Sequence, residues 1–224
     1  MTKSQAAKVT AATIVLLELR ARRRLRARLR RVVDEFQDEP DESRADEAAA
    51  ILLALLAEEI AAIRKSAWAE GAAVGAAQLS RLTGQRVEPA EPSDDIEAQR
   101  GNTLAERFSH AYAKRVRERG SYKDAARALR SRLDTIAATE TVTALMASKH
   151  KTAMSAYRDS PVVMLERWNA ILDKAVCDVC KAMDGKTVQM GHAFEGGLRP
   201  GWVHPRCRCF STYEAKALPV PFAA

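Results

Sequence analysis

Four cysteines and one histidine near the carboxyl end of the sequence have the spacing of metal ligands. Cys177 and Cys180 are separated by two residues, and His204 and Cys207 repeat that spacing further along the chain. Zinc prefers four sulfur or nitrogen ligands in a tetrahedron, which two such pairs supply. Cys209 is a fifth candidate, but two cysteines flanking one extended residue lie roughly 6.5–7 Å apart at the backbone. We therefore predict that Cys177, Cys180, His204 and Cys207 bind one zinc ion, with Cys209 as a substitute ligand or a buried neighbour.

Other uses of these cysteines fit the sequence less well. Two disulfides are the alternative if the mature protein is extracellular. A redox Cys-x-x-Cys needs a thioredoxin-like βαβ setting, which the flanking residues do not supply. The zinc deaminase pattern fails because no His-x-Glu is present.

The predicted zinc is structural. A catalytic zinc keeps an open position, whereas four or five protein ligands saturate the ion. A segment of about 50 residues is too short to form an adequate core alone, and metal ligation supplies the missing folding energy. The sequence also contains no Walker loop, nucleophile elbow or HExxH motif, so we expect no enzymatic activity.

The elements that must position this site are mostly helices. Aromatic residues make up only 5% of the chain and alanine is abundant, which favours closely packed helices over a β-sandwich. Helical periodicity and capping patterns predict helices from Gln5 to Phe36, Ser43 to Leu82, Thr103 to Arg119 and Ser121 to Arg158, the last either continuous or broken. Strands are expected at 162–168 and, after the Asp184-Gly185 turn, at 186–189.

The fold class expected is mainly α. It comprises a helical N-terminal hairpin or arm, a helical body and a small α+β zinc-stabilised C-terminal subdomain. Gly71 and Gly75 in the second helix indicate either a close helix crossing or a tolerated accident of packing. The predicted boundaries are an arm or hairpin at 1–84, a proline-rich polar linker at 85–101, a helical part at 102–160, the zinc-binding subdomain at 161–214 and a tail at 215–224.

The chain is basic, with a net charge of +7. Such a charge favours contact with a polyanion such as nucleic acid, although many proteins reach it without binding one. An acidic segment from Asp34 to Glu42 follows the first helix, so the two blocks can instead neutralise each other across a helical hairpin. The candidate contact residues for DNA or a partner are the arginines of the first helix: Arg20, Arg22, Arg23, Arg24, Arg26, Arg28, Arg30 and Arg31.

No membrane association is expected. The longest apolar runs end at Glu18 and at Glu58-Glu59, far short of the roughly 20 residues that span a bilayer. The first residues lack the apolar core and cleavage site of a secretory signal, so we expect a soluble protein made inside the cell.

The surroundings of the predicted ligands resemble the C-terminal signature of the phage Mu F-type family of minor head, or head morphogenesis, proteins. The resemblance rests on Trp168, Asp173, the cysteine pair, Asp184-Gly185-Lys186 and His204-Pro205-x-Cys207-Arg208-Cys209. Upstream, Ile136-Ala137-Ala138-Thr139-Glu140-Thr141 is similar to a helical motif of that family, which usually has arginine where this chain has Ala138. The resemblance covers roughly Asn102 to Tyr213 and leaves the first 100 residues uncovered.

This resemblance implies a minor structural protein of a tailed-phage virion. Its expected partners are the portal protein, the major capsid protein or both, together with packaged double-stranded DNA. Its expected place is the capsid interior or portal vertex, in low copy or as an oligomer, after assembly in the host cytoplasm. Its expected role is head assembly or genome packaging and ejection. The alternative is a zinc-stabilised nucleic-acid-binding protein that uses its arginine-rich helices.

Overall fold

The computed structural model describes residues 3–36, 41–92, 94–158, 162–174 and 176–216. Within them the chain forms long helices followed by a small mixed region, as the predicted mainly α fold class requires. The helices are α1 (Lys3–Phe36), α2 (Ala45–Thr83), α3 (Asp94–Arg119), α4 (Tyr122–Arg158) and α5 (Asp178–Met183); the strands are β1 (Val163–Asn169), β2 (Thr187–Gln189) and β3 (Phe210–Lys216). Short 3₁₀ helices lie at Glu42–Arg44 and Glu195–Gly197. Every helix among the described residues is too short or too polar to span a bilayer.

The helix boundaries correct two expectations. The third helix was predicted to begin at Thr103 but begins at Asp94, so it occupies part of the predicted linker. The second helix was predicted to open on Ser43, but Asp41 caps this region by accepting hydrogen bonds from the Ser43 backbone N–H (2.8 Å) and hydroxyl (2.6 Å). The fourth helix is continuous and is capped as predicted, because the Ser121 hydroxyl accepts from the Asp124 N–H at 3.2 Å.

The sheet has the antiparallel order β2-β1-β3. The first strand pairs with β2 in the register Leu165 opposite Gln189, and with β3 in the register Trp168 opposite Ser211. The predicted strands at 162–168 and 186–189 are therefore confirmed, and the third strand was not predicted. Residues of β1 alternate between buried and half-buried, since one face of the strand packs into the core.

The chain divides into two compact units that interleave along the sequence. Unit 1 comprises Met1–Val15, Ala67–Pro92 and Val142–Ala224, and unit 2 comprises Leu16–Ser66 and Ser93–Thr141. In unit 2, the predicted apolar stripe of α1 is buried against aliphatic residues of α2 and aromatic residues of α3; this core includes Leu25, Leu29, Val32, Leu52, Leu56, Ile60, Phe108 and Tyr112. In unit 1, a separate core joins helices to the sheet through Leu79, Ala153, Met164, Met190 and Tyr213.

A close helix crossing in unit 1 explains Gly71. A Cβ atom added at Gly71 would overlap the Ser148 hydroxyl and the Leu145 carbonyl, and would lie 2.9 Å from the Leu145 Cα. A Cβ at Gly75 would lie 3.4 Å from the Lys149 Cα, which the surroundings accommodate with a small shift. The predicted crossing is thus confirmed, and Gly71 is the position that requires a glycine.

Unit 1 also buries a lysine. The Lys149 side chain has no exposed surface, and its Nζ donates to the Thr10 hydroxyl at 3.1 Å and the Ser211 carbonyl at 2.8 Å. Its Nζ also lies 5.7 Å from the centre of the Tyr213 ring. Burial lowers the pKa of Lys149 to about 7, against the opposing attraction of the Glu166 carboxylate.

Candidate metal centre

The five predicted ligands come from two turns of unit 1. Cys177 is the N-cap of α5, and its sulfur accepts the Cys180 backbone N–H at 3.4 Å. Cys180 lies in the first turn of that helix and is buried. His204 and Cys207 lie in a second turn, closed by the Cys207 N–H donating to the His204 carbonyl at 3.0 Å, and Cys209 directly precedes β3. Two short turns therefore present four of the donors, and Cys209 follows the second turn.

The donor atoms converge. Cys177, Cys180 and His204 form one group, and Cys180, Cys207 and Cys209 form a second; within each group every donor atom lies within 4.8 Å of the others. The Cys180 sulfur lies 3.4 Å from the His204 Nε2 and 3.8 Å from the Cys207 sulfur. Two thiolates that bind a tetrahedral zinc at about 2.3 Å stand about 3.8 Å apart. Cys180 belongs to both groups, and sulfur and imidazole donors at this spacing fit a thiophilic metal ion.

The Cys209 sulfur lies within 4.8 Å of the Cys180 and Cys207 sulfurs. Arg206, directly before Cys207, adopts a left-handed backbone conformation with φ of 65°, within the turn from His204 to Cys207. Both Cys207 and Cys209 are buried, and their sulfurs belong to the same group of donors. The structure therefore places the five predicted residues in two overlapping groups of three that share Cys180, and the choice of four ligands among them stays a prediction.

The environment of the thiols differs from one to the next. A hydrogen bond from Cys209, with further bonds from backbone N–H groups, lowers the pKa of Cys207 to about 5 although burial opposes the shift. Burial raises the pKa of Cys180 to about 12. The hydrogen bond to Cys207, followed by burial, raises the pKa of Cys209 well above its usual value. Without a cation, this cluster keeps some of its thiols protonated, whereas a bound metal ion favours thiolates.

A hydrogen bond to the backbone orients the His204 ring and raises its pKa. The His204 Nδ1 lies 2.8 Å from the Pro205 carbonyl oxygen, which can only accept, so Nδ1 carries the proton. The Nε2 atom faces the Cys180 sulfur at 3.4 Å and is the nitrogen that would bind a metal ion. A hydrogen bond from the second ring nitrogen to a carbonyl is the usual support of a metal-binding histidine.

Comparison with known protein families agrees with the site. Residues 99–212 match the family described as Phage Mu protein F like protein, and this match covers just over half of the chain and all five donors. The chain belongs to this family. No curated protein matches the sequence, and no solved structure matches it either. The family indicates a phage protein of head morphogenesis.

The signature residues shared with the Phage Mu F-like family support the metal site. Trp168 is fully buried, and its ring packs edge to face on Phe194 at 5.1 Å, in the same cluster as three of the cysteines. Gly185, at a φ of +84°, donates its N–H to the Trp168 carbonyl at 2.9 Å. Arg208 forms an ion pair with Asp173 at 2.5 Å, joining the loop before α5 to the segment that carries Cys207 and Cys209. These contacts fix the two turns.

The upstream motif of the family has a buried acid in unit 2. Ala138 is buried, and Glu140 forms a buried ion pair with Arg64 of α2. Both side chains are more than nine-tenths buried. The Glu140 charge is therefore neutralised from another helix, which sequence pattern alone did not show.

Half of the predicted arginine contacts of α1 are ion-paired inside unit 2. Arg22 pairs with Glu18, Arg24 and Arg28 pair with Glu59, and Arg26 pairs with Asp134. Arg20, Arg23, Arg30 and Arg31 are exposed and have no carboxylate partner among the residues that the structure describes. The acids that pair with these arginines therefore lie in α1, α2 and α4, and not in the acidic segment after α1 where they were expected. Asp38, Glu39 and Pro40 of that segment lie outside the described residues.

Proposed function

We propose that this protein is a minor structural component of a tailed-phage virion that acts in head assembly or in genome packaging and ejection. The match to the Phage Mu F-like family over residues 99–212 carries this proposal. The matched region contains both the metal-ligand cluster and the helix that bears Glu140. The protein has its place at the portal vertex or inside the capsid, in low copy or as an oligomer, and is assembled in the host cytoplasm.

The metal in this proposal is zinc, and its role is structural. Cysteine and histidine donors near tetrahedral spacing favour zinc over hard cations such as Mg²⁺ or Ca²⁺. The five candidate donors lie in two overlapping groups that share Cys180, and four of them are enough to saturate a tetrahedral ion, as a structural zinc site requires. The protein therefore acts as a structural protein and not as an enzyme, with zinc stabilising the fold around α5 and β3.

Elemental analysis of protein purified without added metal tests the zinc site. About one equivalent of zinc is expected per chain, and Cys177→Ser should lose it while keeping most of the helical circular dichroism signal. Val179→Ala, an exposed residue between the paired cysteines, is the matched control and should retain the metal. If the protein contains less than about half an equivalent of zinc and its thiols are oxidised, the cysteines form disulfides and not a metal site.

The partner is the portal protein or the major capsid protein. Both are tested by mass spectrometry of purified particles and by co-purification of the tagged chain with each protein expressed separately, without DNA. The proposal requires the chain in mature particles and retention by one of the two proteins. Absence from particles, with presence only in the infected cell, would contradict a virion role.

A nucleic-acid-binding protein is the second candidate function. Four exposed arginines of α1 without carboxylate partners in the described part of the chain favour it: Arg20, Arg23, Arg30 and Arg31. Binding through phosphates predicts an affinity that falls steeply with salt concentration. A flat salt response in a DNA titration of the purified protein would rule it out.

A further inference from the structure

A basic groove lies between α1 and α4 in unit 2. Its volume is about 400 Å³, and its walls carry Arg26, Arg30, Lys123, Arg127 and Arg130. The single acid in the walls is Asp34, which is exposed. The groove therefore concentrates positive charge from two helices that are distant in sequence.

The cations of this groove divide into paired and available groups. Arg26 forms an ion pair with Asp134, and Arg127 lies 2.9 Å from Asp124. Arg30, Lys123 and Arg130 are exposed and have no carboxylate partner among the described residues. The groove thus presents three available cations beside two that are already neutralised.

The walls supply hydrogen-bond donors and almost no acceptors. Apart from the charged side chains, they consist of Leu29, Val33 and Ala126, with no aromatic ring, amide or hydroxyl side chain. A peptide would bring backbone N–H donors that need acceptors, and a nucleoside or single strand would need a surface for stacking. A DNA phosphodiester backbone offers only acceptors, and arginine binds phosphate oxygens in bidentate fashion. The chemistry of the groove matches a duplex bound through its phosphates.

The row of cations on α4 is long enough to contact several phosphates. Lys123, Arg127 and Arg130 stand at positions i, i+4 and i+7 on one face of α4, which extends about 10 Å along the helix axis. One strand of B-form DNA carries about three phosphates over that distance along its axis. Arg26 and Arg30 line the opposite wall one helical turn apart.

We propose that the α1–α4 groove binds the phosphate backbone of double-stranded DNA, without reading its sequence, through Arg30, Lys123 and Arg130. This inference rests on the second candidate function, and it assigns that function to a defined groove that includes α4. The α1 arginines outside the groove are then secondary contacts.

Titration of a labelled mixed-sequence duplex over a range of salt concentrations tests the groove. The test variant replaces Arg30, Lys123 and Arg130 by glutamine. The matched control replaces Arg107, Lys114 and Arg119 of α3, which are also exposed and carry the same three charges. Circular dichroism of both variants confirms that the helices remain folded.

The groove variant should bind duplex more than about tenfold more weakly at about 0.1 M salt, and the magnitude of its log–log salt slope should fall by about 2–3. The control should change affinity by less than about threefold. Equal losses of affinity in both variants would refute the assignment of DNA binding to the groove. A loss confined to a variant of Arg20, Arg23 and Arg31 would refute it as well. In either case DNA binding itself would still stand. If the unaltered protein binds no duplex, both the groove proposal and the second candidate function are refuted. If it binds poly-glutamate instead, the groove is a site for an acidic protein segment.

Discussion

Replacing Lys149 by methionine removes a buried titratable amine while keeping an unbranched side chain that is one heavy atom shorter. The lysine is completely buried between α1, α2, α4 and the sheet within unit 1. Its titratable neighbours are Glu166, which also accepts a hydrogen bond from Ser211, and the buried Tyr213. The lysine should therefore make stability depend on pH between its pKa in the folded and in the unfolded protein.

The direction and size of this dependence follow from the pKa. In the folded protein the pKa of Lys149 is lowered from 10.5 to about 7. Between these values the unfolded chain holds a proton that the folded chain has released, so unfolding takes up a proton and stability rises with pH. Each pH unit contributes about 1.4 kcal/mol, which gives about 2–3 kcal/mol between pH values of about 7.5 and 9.5.

Urea unfolding of the original chain and of Lys149→Met at a series of pH values measures this contribution. The cysteines and tyrosines titrate in both proteins, so the difference between the two unfolding free energies isolates Lys149. This difference should change by about 2–3 kcal/mol in favour of the lysine protein as pH rises from about 7.5 to 9.5. Parallel profiles would refute the reasoning, because they would mean that Lys149 stays charged and paired with Glu166 in the folded state.

Three further changes test other features. Gly71→Ala should destabilise the protein by about 2–3 kcal/mol in thermal or urea unfolding, whereas Gly75→Ala should change stability by less than about 1 kcal/mol; equal effects would contradict the close crossing. Glu140→Gln should cost about 3–5 kcal/mol in urea unfolding because it leaves Arg64 buried without its charge partner, and the double variant Glu140→Leu with Arg64→Met should cost less. Cys209→Ser should retain about one equivalent of zinc by elemental analysis if the other four donors are the ligands; loss of the metal would make Cys209 a ligand.

The sequence predicted those features that depend on local spacing. Two residues between Cys177 and Cys180, and again between His204 and Cys207, suffice to place each pair in one turn. Helical periodicity likewise identified the buried stripe Leu25, Leu29 and Val32. In both cases the information lies within a few neighbouring residues.

Features that lacked a local pattern were missed. The third strand was not predicted because four successive residues from Phe210 to Tyr213 are buried, so the strand lacks the alternation that marks a half-exposed strand. The start of α3 was placed too late because residues 94–101 have no apolar period. The pairing of Arg64 with Glu140 joins distant parts of the chain, and no spacing rule connects them.

The position of the two metal-binding turns has a consequence for how much the chain between them can vary. The segment from Lys181 to Val203 begins and ends at the donor cluster, and Gly196 and Gly197 in its interior are exposed. A Cβ at Gly197 would meet no atom within 4 Å. Lengthening such a segment by half raises the entropy cost of closing it by only about 0.4 kcal/mol. The region around these glycines is therefore a place where the protein can accept an insertion or a tag without disturbing its metal ligands.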